Sequence, residues 1–112
     1  MVKPRLVEPV MRVQFSLGTH ANNFIVFMMF YVYVLKSLKD KKLYIGSTDD
    51  LRRRLSEHNG GKVRSTKSRI PFELRYYESY FVEKDARRRE AALKDDGRVL
   101  AQLKLRISES LQ

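Results

Sequence analysis

One glutamate in the second half of the chain has an unusual sequence setting. Glu90 falls on the apolar stripe that Val82, Ala86 and Leu93 form along a predicted helix, and most of its neighbours are basic. A lone carboxylate on an inward face is costly to bury unless it is paired or binds a metal. Two interpretations stay open. One is an ion pair with a nearby arginine. The other is a divalent cation such as Mg²⁺, which proteins hold through one or two carboxylates plus water and substrate phosphate.

An arginine and a histidine share one face of an earlier helix. Arg54 and His58 are four residues apart, and Arg54 lies beside the apolar pair Leu51 and Leu55. This placement predicts either an arginine that reaches across the sheet toward a substrate or one that covers the edge of the core with its aliphatic stem.

Six tyrosines fall on predicted strands: Tyr31, Tyr33, Tyr44, Tyr76, Tyr77 and Tyr80. Such residues serve as core side chains with a hydrated hydroxyl, as stacking surfaces for nucleobases, or as proton carriers. Because the ordinary pKa of tyrosine is about 10, a tyrosine base near neutral pH needs nearby cations to favour the phenolate. The arginine-rich helix is a candidate source of those cations.

Basic residues concentrate in the middle of the chain. Between Arg52 and Arg69 there are seven basic residues and one acidic residue, Glu57. Guanidinium forks with the hydroxyls of Ser65, Thr66 and Ser68 suit phosphate contacts, although a solvated charged face has the same composition. The predicted nucleic-acid contacts are Lys42, Arg52, Arg53, Lys62, Arg64, Lys67 and Arg69.

Composition narrows the class of protein. The 112 residues carry a formal charge of +10, which favours a polyanionic partner, and nucleic acid over an acidic membrane surface. Cysteine is absent, so thiolate catalysis, disulfides and cysteine-ligated metals are excluded. The longest apolar run covers residues 24–35. It is shorter than the roughly 20 residues that span a bilayer, and no signal-peptide cleavage pattern follows it.

The elements that must position these residues are short. Strands are predicted over residues 30–36, 42–47 and 72–80, with Phe72, Leu74 and Tyr76 on one face. Helices are predicted from residue 48 or 49 to 58, over 83–94 and over 98–109, and Gly60-Gly61 ends the first. The expected fold is α+β, a small three-stranded antiparallel sheet flanked by helices.

The first 27 residues differ from the rest. They show no sustained periodicity, and Pro4, Pro9 and Gly18 interrupt their apolar positions. We expect residues 1–27 to be a poorly ordered N-terminal extension and residues 28–112 to form the domain.

The order of these residues resembles the GIY-YIG nuclease superfamily over about residues 29–109. Tyr31-Val32-Tyr33 stands where the family has Gly-Ile-Tyr, and Tyr44-Ile45-Gly46 is an unaltered second motif. Arg54 and His58 follow at the family's spacing, and 85–90 resembles its Ala-x-x-x-Glu segment. The segments 58–62 and 69–74 are similar to the small stand-alone bacterial branch, which resembles the nuclease domain of the excision-repair incision subunit. The first motif departs from the family in lacking its glycine and isoleucine.

The resemblance implies a metal-dependent endonuclease that hydrolyses phosphodiester bonds, in DNA more than RNA and in repair or recombination. Glu90 would hold Mg²⁺ or Mn²⁺, and Arg54 would contact the scissile phosphate. Tyr33 would accept the proton of the attacking water, with Tyr44 as an alternative or helper. His58 would orient a tyrosine or contact a phosphate.

A non-catalytic nucleic-acid-binding module, or a subunit recruited by another protein, would use the same basic surface. A protein partner for targeting is compatible with either interpretation, and no membrane is expected. Since no export signal is visible, the cytoplasm, including the nucleoid, is the expected location.

Overall fold

The structure, a computed structural model, describes residues 28–112, so the predicted N-terminal extension lies outside the described residues. Its elements run in the order β1 (Phe30–Ser37), β2 (Leu43–Thr48), α1 (Leu51–Asn59), β3 (Phe72–Tyr80), α2 (Glu83–Asp95) and α3 (Gly97–Arg106). One short 3-10 turn, Lys67–Arg69, precedes β3. The predicted α+β architecture is confirmed.

The three strands form one antiparallel sheet in the order β2-β1-β3. The centre of β1 is apolar without alternation, because both of its faces are covered. Val32 and Val34 pack toward α2 and α3, in a core with Ala86, Leu93 and Leu103. On the opposite face, the core under α1 is formed by Tyr33, Leu35 and Phe72, with Leu51 and Leu55 of α1 packed against it.

A bulge in β3 divides its side chains between the two faces. Leu35 pairs with Leu74, whereas the preceding residue, Val34, pairs with Tyr76, so Arg75 is an extra residue. Leu74 therefore packs under α1, and Tyr76 packs against the core beneath α2 and α3. The prediction that Tyr76 continues the face of Leu74 is wrong, because one inserted residue reverses the alternation of every side chain after it.

Local signals set the ends of α1. The Asp50 carboxylate accepts a hydrogen bond from the backbone N–H of Arg53 at 3.0 Å and caps the helix. The helix therefore begins at Leu51, and the predicted start at residue 48 or 49 is too early. At the other end Gly61 has φ +74°, the left-handed conformation that glycine adopts without a Cβ penalty. The predicted glycine stop is confirmed.

The last helix is shorter than predicted. Asp96 caps α3 through the backbone N–H of Arg98, and the helix ends at Arg106 instead of Glu109. Ile107 leaves helical geometry while its side chain enters the core, and the serine-rich residues after it form turns. Over residues 28–112, no helix combines the length and apolar character needed to cross a membrane.

Candidate functional site

The hydroxyl of Tyr33 is the meeting point of strand β1 and helix α1. Tyr33 is 2% exposed. Its oxygen lies 3.0 Å from Nε2 of His58, and Nε of Arg54 donates a long hydrogen bond of 3.4 Å to it. Arg54 and His58 reach the same oxygen because one helical turn separates them on one face of α1. The helix face that the sequence predicts is therefore directed at a tyrosine of the central strand.

A second buried hydrogen bond determines which way the Tyr33–His58 bond points. Nδ1 of His58 lies 2.8 Å from Oγ1 of Thr66, whose hydroxyl donates to the carbonyl of Val63 at 3.4 Å. Because the Thr66 hydroxyl donates its proton to Val63, its oxygen acts as the acceptor for Nδ1–H of His58. We therefore assign the tautomer in which Nε2 accepts the proton of the Tyr33 hydroxyl.

The position of Thr66 corrects one expectation. Thr66 is 1% exposed and holds His58 in place, so its hydroxyl does not join the surface donors predicted for phosphate. Its role is missed in the sequence because the residue lies within a polar loop, where a hydroxyl that turns inward has no periodic signature.

Burial dominates the protonation of both partners. It lowers the pKa of His58 to about 4, with a further contribution from the nearby Arg54 charge, so the imidazole is neutral at pH 7. Burial raises the pKa of Tyr33, and the hydrogen bond from Arg54 opposes this shift without overcoming it. Arg54 of the arginine-rich helix thus favours the phenolate as expected, but burial outweighs this one guanidinium and the pKa of Tyr33 stays above its ordinary value.

Gly46 makes room for the Tyr33 side chain. The two residues pair across β1 and β2. A Cβ at position 46 would lie 2.6 Å from Cζ of Tyr33 and would overlap its hydroxyl. The Tyr33 ring can lie in its observed position only because the residue of the Tyr-Ile-Gly motif beside it has no side chain. Tyr44 packs beside it, edge-on to His58 with ring centroids 4.9 Å apart.

Glu90 approaches the edge strand β2 from the opposite face of the sheet. Its carboxylate accepts a 2.6 Å hydrogen bond from the Ser47 hydroxyl and pairs with Nζ of Lys94 at 2.7 Å. Burial by itself would raise the pKa of Glu90, but the hydrogen bonds from Lys94 and Ser47 outweigh it and lower the pKa. The side chain is 20% exposed, so the carboxylate is ionised and within reach of a ligand. The predicted ion pair exists, with a lysine instead of an arginine.

Lys94 links the two faces of the sheet. While paired with Glu90, its ammonium lies 5.9 Å from the centroid of the Tyr44 ring, within cation–π range. Sequence reasoning missed both Lys94 and Ser47 as partners of Glu90. The signals were present, since Lys94 follows Glu90 by one helical turn and Ser47 alternates with the buried Ile45.

An open cavity of about 400 Å³ lies between the end of β2, α1 and α2. Ser47, Arg54 and Arg87 line it together with acidic and apolar neighbours. One partner of the Glu90 carboxylate and the guanidinium that contacts Tyr33 therefore face the same space. The cavity therefore lies between the residues around Tyr33 and those around Glu90.

The donors around Glu90 fit one kind of cation. Over residues 28–112, no group of three or more His, Cys, Asp or Glu side chains could hold a metal. One ionised, partly exposed carboxylate beside a hydroxyl fits a hard cation such as Mg²⁺ or Mn²⁺, which keeps most of its waters and takes further oxygen ligands from a phosphate.

The predicted basic contacts divide into two groups. Arg53 pairs with Asp49 at 2.7 Å, and Arg69 pairs with Asp40 at 2.7 Å while its guanidinium lies over the Phe72 ring. Arg69 thus ties the 3-10 turn to the β1–β2 hairpin. The other predicted contacts have exposed side chains on α1, the following loop and the hairpin: Lys42, Arg52, Lys62, Arg64 and Lys67.

Comparisons with known proteins agree on one family. The model of the family described as the GIY-YIG catalytic domain matches residues 29–102. The chain is 45% identical over 65 residues to a UPF0213 protein of Streptococcus pyogenes serotype M3, covering 57% of this chain and 70% of the relative. It is 42% identical over 69 residues to a UPF0213 protein of Streptococcus agalactiae serotype V, covering 61% and 77%. No solved structure gives a significant match.

Proposed function

Because this chain belongs to the GIY-YIG family, we propose that it is a metal-dependent endonuclease that hydrolyses phosphodiester bonds, with DNA as its main substrate. The observation that carries the proposal is the convergence of Arg54 and His58 on the buried hydroxyl of Tyr33. A phosphate anion and an attacking water need such a pairing of a fixed cation with a proton acceptor. We further propose that the protein acts in the cytoplasm, on DNA undergoing repair or recombination.

Tyr33 and His58 move the proton of the attacking water. A water beside the Tyr33 hydroxyl transfers its proton to that oxygen as the phenol proton passes to Nε2 of His58. The water oxygen forms the new bond to phosphorus, and the leaving oxygen takes the electron pair of the bond that breaks. Coupling the two transfers avoids a free phenolate, which the raised pKa of Tyr33 disfavours. The pKa of His58 is about 4 in the free protein, and the negative charge of a bound phosphate favours the imidazolium that the transfer forms. Thr66 accepts Nδ1–H and so keeps Nε2 free.

The remaining residues stabilise charge. Arg54 contacts the phosphate and offsets the negative charge that develops as the bond breaks. Glu90 would hold the divalent cation, and Lys94 would be displaced from at least one carboxylate oxygen. When bound, Mg²⁺ or Mn²⁺ supplies Lewis-acid stabilisation of the phosphate and leaving oxygen. The exposed basic residues of α1 and the loop after it hold the neighbouring phosphates.

A cleavage assay tests this proposal. Labelled single-stranded, duplex and branched DNA and matching RNA are incubated with the full chain in Mg²⁺, Mn²⁺ or EDTA. We expect metal-dependent cutting that Glu90→Gln abolishes. Asp85→Asn is the matched control, because it removes an exposed carboxylate from the same helix. Cutting by Glu90→Gln at the rate of the parent chain would contradict the role of this carboxylate.

A nucleic-acid clamp without catalysis is the second candidate. It is favoured by one observation, the occupation of the Glu90 carboxylate by Lys94 and Ser47. A clamp binds through its basic surface, so its affinity falls with salt through counterion release and needs no divalent metal. Salt-sensitive binding without cutting, equal for the parent and Glu90→Gln, would support the clamp over the nuclease.

A further inference from the structure

Two tyrosines beside the proposed centre have no part in the mechanism above. Tyr77 lies directly opposite Tyr33 in the β1–β3 pairing, and Tyr31 precedes Tyr33 by two residues. Both therefore lie on the face of the sheet that carries Tyr33. Their rings contact edge to face, with centroids 5.8 Å apart and planes at 72°.

Helix α1 leaves this part of the face open. Its apolar residues Leu51 and Leu55 pack over the other end, where Leu35 and Phe72 are buried. Tyr77 is 43% exposed, and its neighbour Ser79 is exposed as well. In an edge-to-face pair the edge of one ring contacts one face of the other, so the opposite face of that second ring is not covered by its partner. The exposed ring of Tyr77 is thus available for contact next to Tyr33.

We propose that Tyr31 and Tyr77 form a stacking platform for an unpaired nucleobase adjacent to the scissile phosphate, an inference that rests on the proposed nuclease function. A nucleobase is the expected ligand because the two tyrosines lie next to the residues that would bind the scissile phosphate. Two strand residues span about 7 Å, so a nucleotide whose phosphate contacts Arg54 and Tyr33 has its base within reach of Tyr31. Aromatic rings near basic residues that contact the phosphates are the combination that binds single strands.

The platform defines a class of substrate. A base inside an intact duplex is covered by its neighbours and cannot stack on protein without leaving the helix. Tyr31 and Tyr77 therefore favour single-stranded DNA, or branched or distorted DNA with an unpaired base at the cut. Tyr31 stands where the family motif has glycine, which carries no ring, so this departure from the motif supplies half of the platform.

Binding measurements in EDTA test the platform without cleavage. Fluorescence anisotropy compares a labelled single-stranded oligonucleotide with a set of matched strands that each carry one abasic residue. We expect Tyr77→Ala to weaken binding of the intact strand by about 5- to 100-fold. Tyr77→Phe keeps the ring, and Leu105→Ala removes an exposed apolar side chain from α3, so both should bind as the parent does. The parent chain should bind one of the abasic strands more weakly than the intact strand. Tyr77→Ala should bind these two strands with equal affinity.

The outcomes separate the platform from the nuclease proposal. If the parent chain binds no nucleic acid, both fail together. If it binds and cuts while Tyr77→Ala and every abasic strand behave like their controls, only the platform is overturned. Light scattering on the same samples gives the oligomeric state. If Tyr77→Ala changes that state and leaves DNA affinity intact, the face contacts a second copy, which also overturns the platform.

Discussion

Gly46→Ala tests whether the close approach of Tyr33 to β2 sets the geometry of the site. The added Cβ would lie 2.6 Å from Cζ of Tyr33, whereas ordinary contact begins at 3.4 Å, so the ring must move by about 0.8 Å. The Tyr33 hydroxyl is 3.0 Å from His58 and 3.4 Å from Arg54, and a shift of that size disrupts both hydrogen bonds.

Two magnitudes follow from that shift. Overpacking a well-filled core costs typically about 1–3 kcal/mol of unfolding free energy. A displacement near 1 Å in a catalytic group costs about 10²-fold in rate. Gly46→Ala should therefore lose about two orders of magnitude of cleavage while it remains folded at 25 °C. The φ of Gly46 is outside the left-handed region, so the effect comes from the collision and not from backbone strain.

Urea unfolding and single-turnover cleavage measure the two effects separately. Gly97→Ala is the matched control, since nothing lies within 4 Å of its Cβ position and it begins a helix. It should keep full activity and gain at most about 1 kcal/mol. Adding Tyr33→Leu to Gly46→Ala should relieve the collision but leave Nε2 of His58 without its partner, so activity should not recover. If Gly46→Ala matches the parent chain in both assays, Tyr33 is not held in place by contact with β2.

Three further predictions concern charge. Because burial lowers the pKa of His58 from 6.5 to about 4, its protonation favours the unfolded chain. Stability should thus fall by roughly 2–3 kcal/mol as pH drops from 6.5 to 4, and urea unfolding of His58→Gln should lack that component. Lys94→Met should bind Mn²⁺ several-fold more tightly than the parent chain, because the substitution removes the ammonium that pairs with Glu90. Electron paramagnetic resonance of Mn²⁺ measures this affinity. Glu78→Gln should lose about 2 kcal/mol or more in urea unfolding, since Arg89 and two tyrosine hydroxyls donate to that carboxylate.

A specific result would contradict each of the three predictions about His58, Lys94 and Glu78. An unchanged pH dependence in His58→Gln would mean that the imidazole is solvated in the folded state. Mn²⁺ affinity unaltered by Lys94→Met would mean that the cation does not meet the Glu90 carboxylate. For Glu78 the comparison is Glu83→Gln, whose exposed pair with Arg87 contributes less than about 0.5 kcal/mol. Equal losses from the two variants would contradict the network around Glu78.

The elements of this fold are predictable because their signals are local. Alternating or continuous apolar residues mark the strands, Gly60-Gly61 marks the end of α1, and a spacing of four places Arg54 with His58. The motifs around Tyr44 predict the family, which the family comparison confirms. The roles of the site residues stay predictions. The bulge at Arg75 escaped prediction, because one inserted residue leaves no mark on a strand rich in apolar and aromatic residues.

The sequence by itself determined which chemical groups the protein carries and which of them share a helix or strand. Tertiary structure alone decided what those groups do to one another. Tyr33 and His58 are 25 residues apart in sequence, and Ser47 and Glu90 are 43 apart. Their contacts exist only because helices pack on both faces of one sheet. The same packing removes water from His58 and lowers its pKa, and a pKa depends on burial and neighbouring charge rather than on residue type.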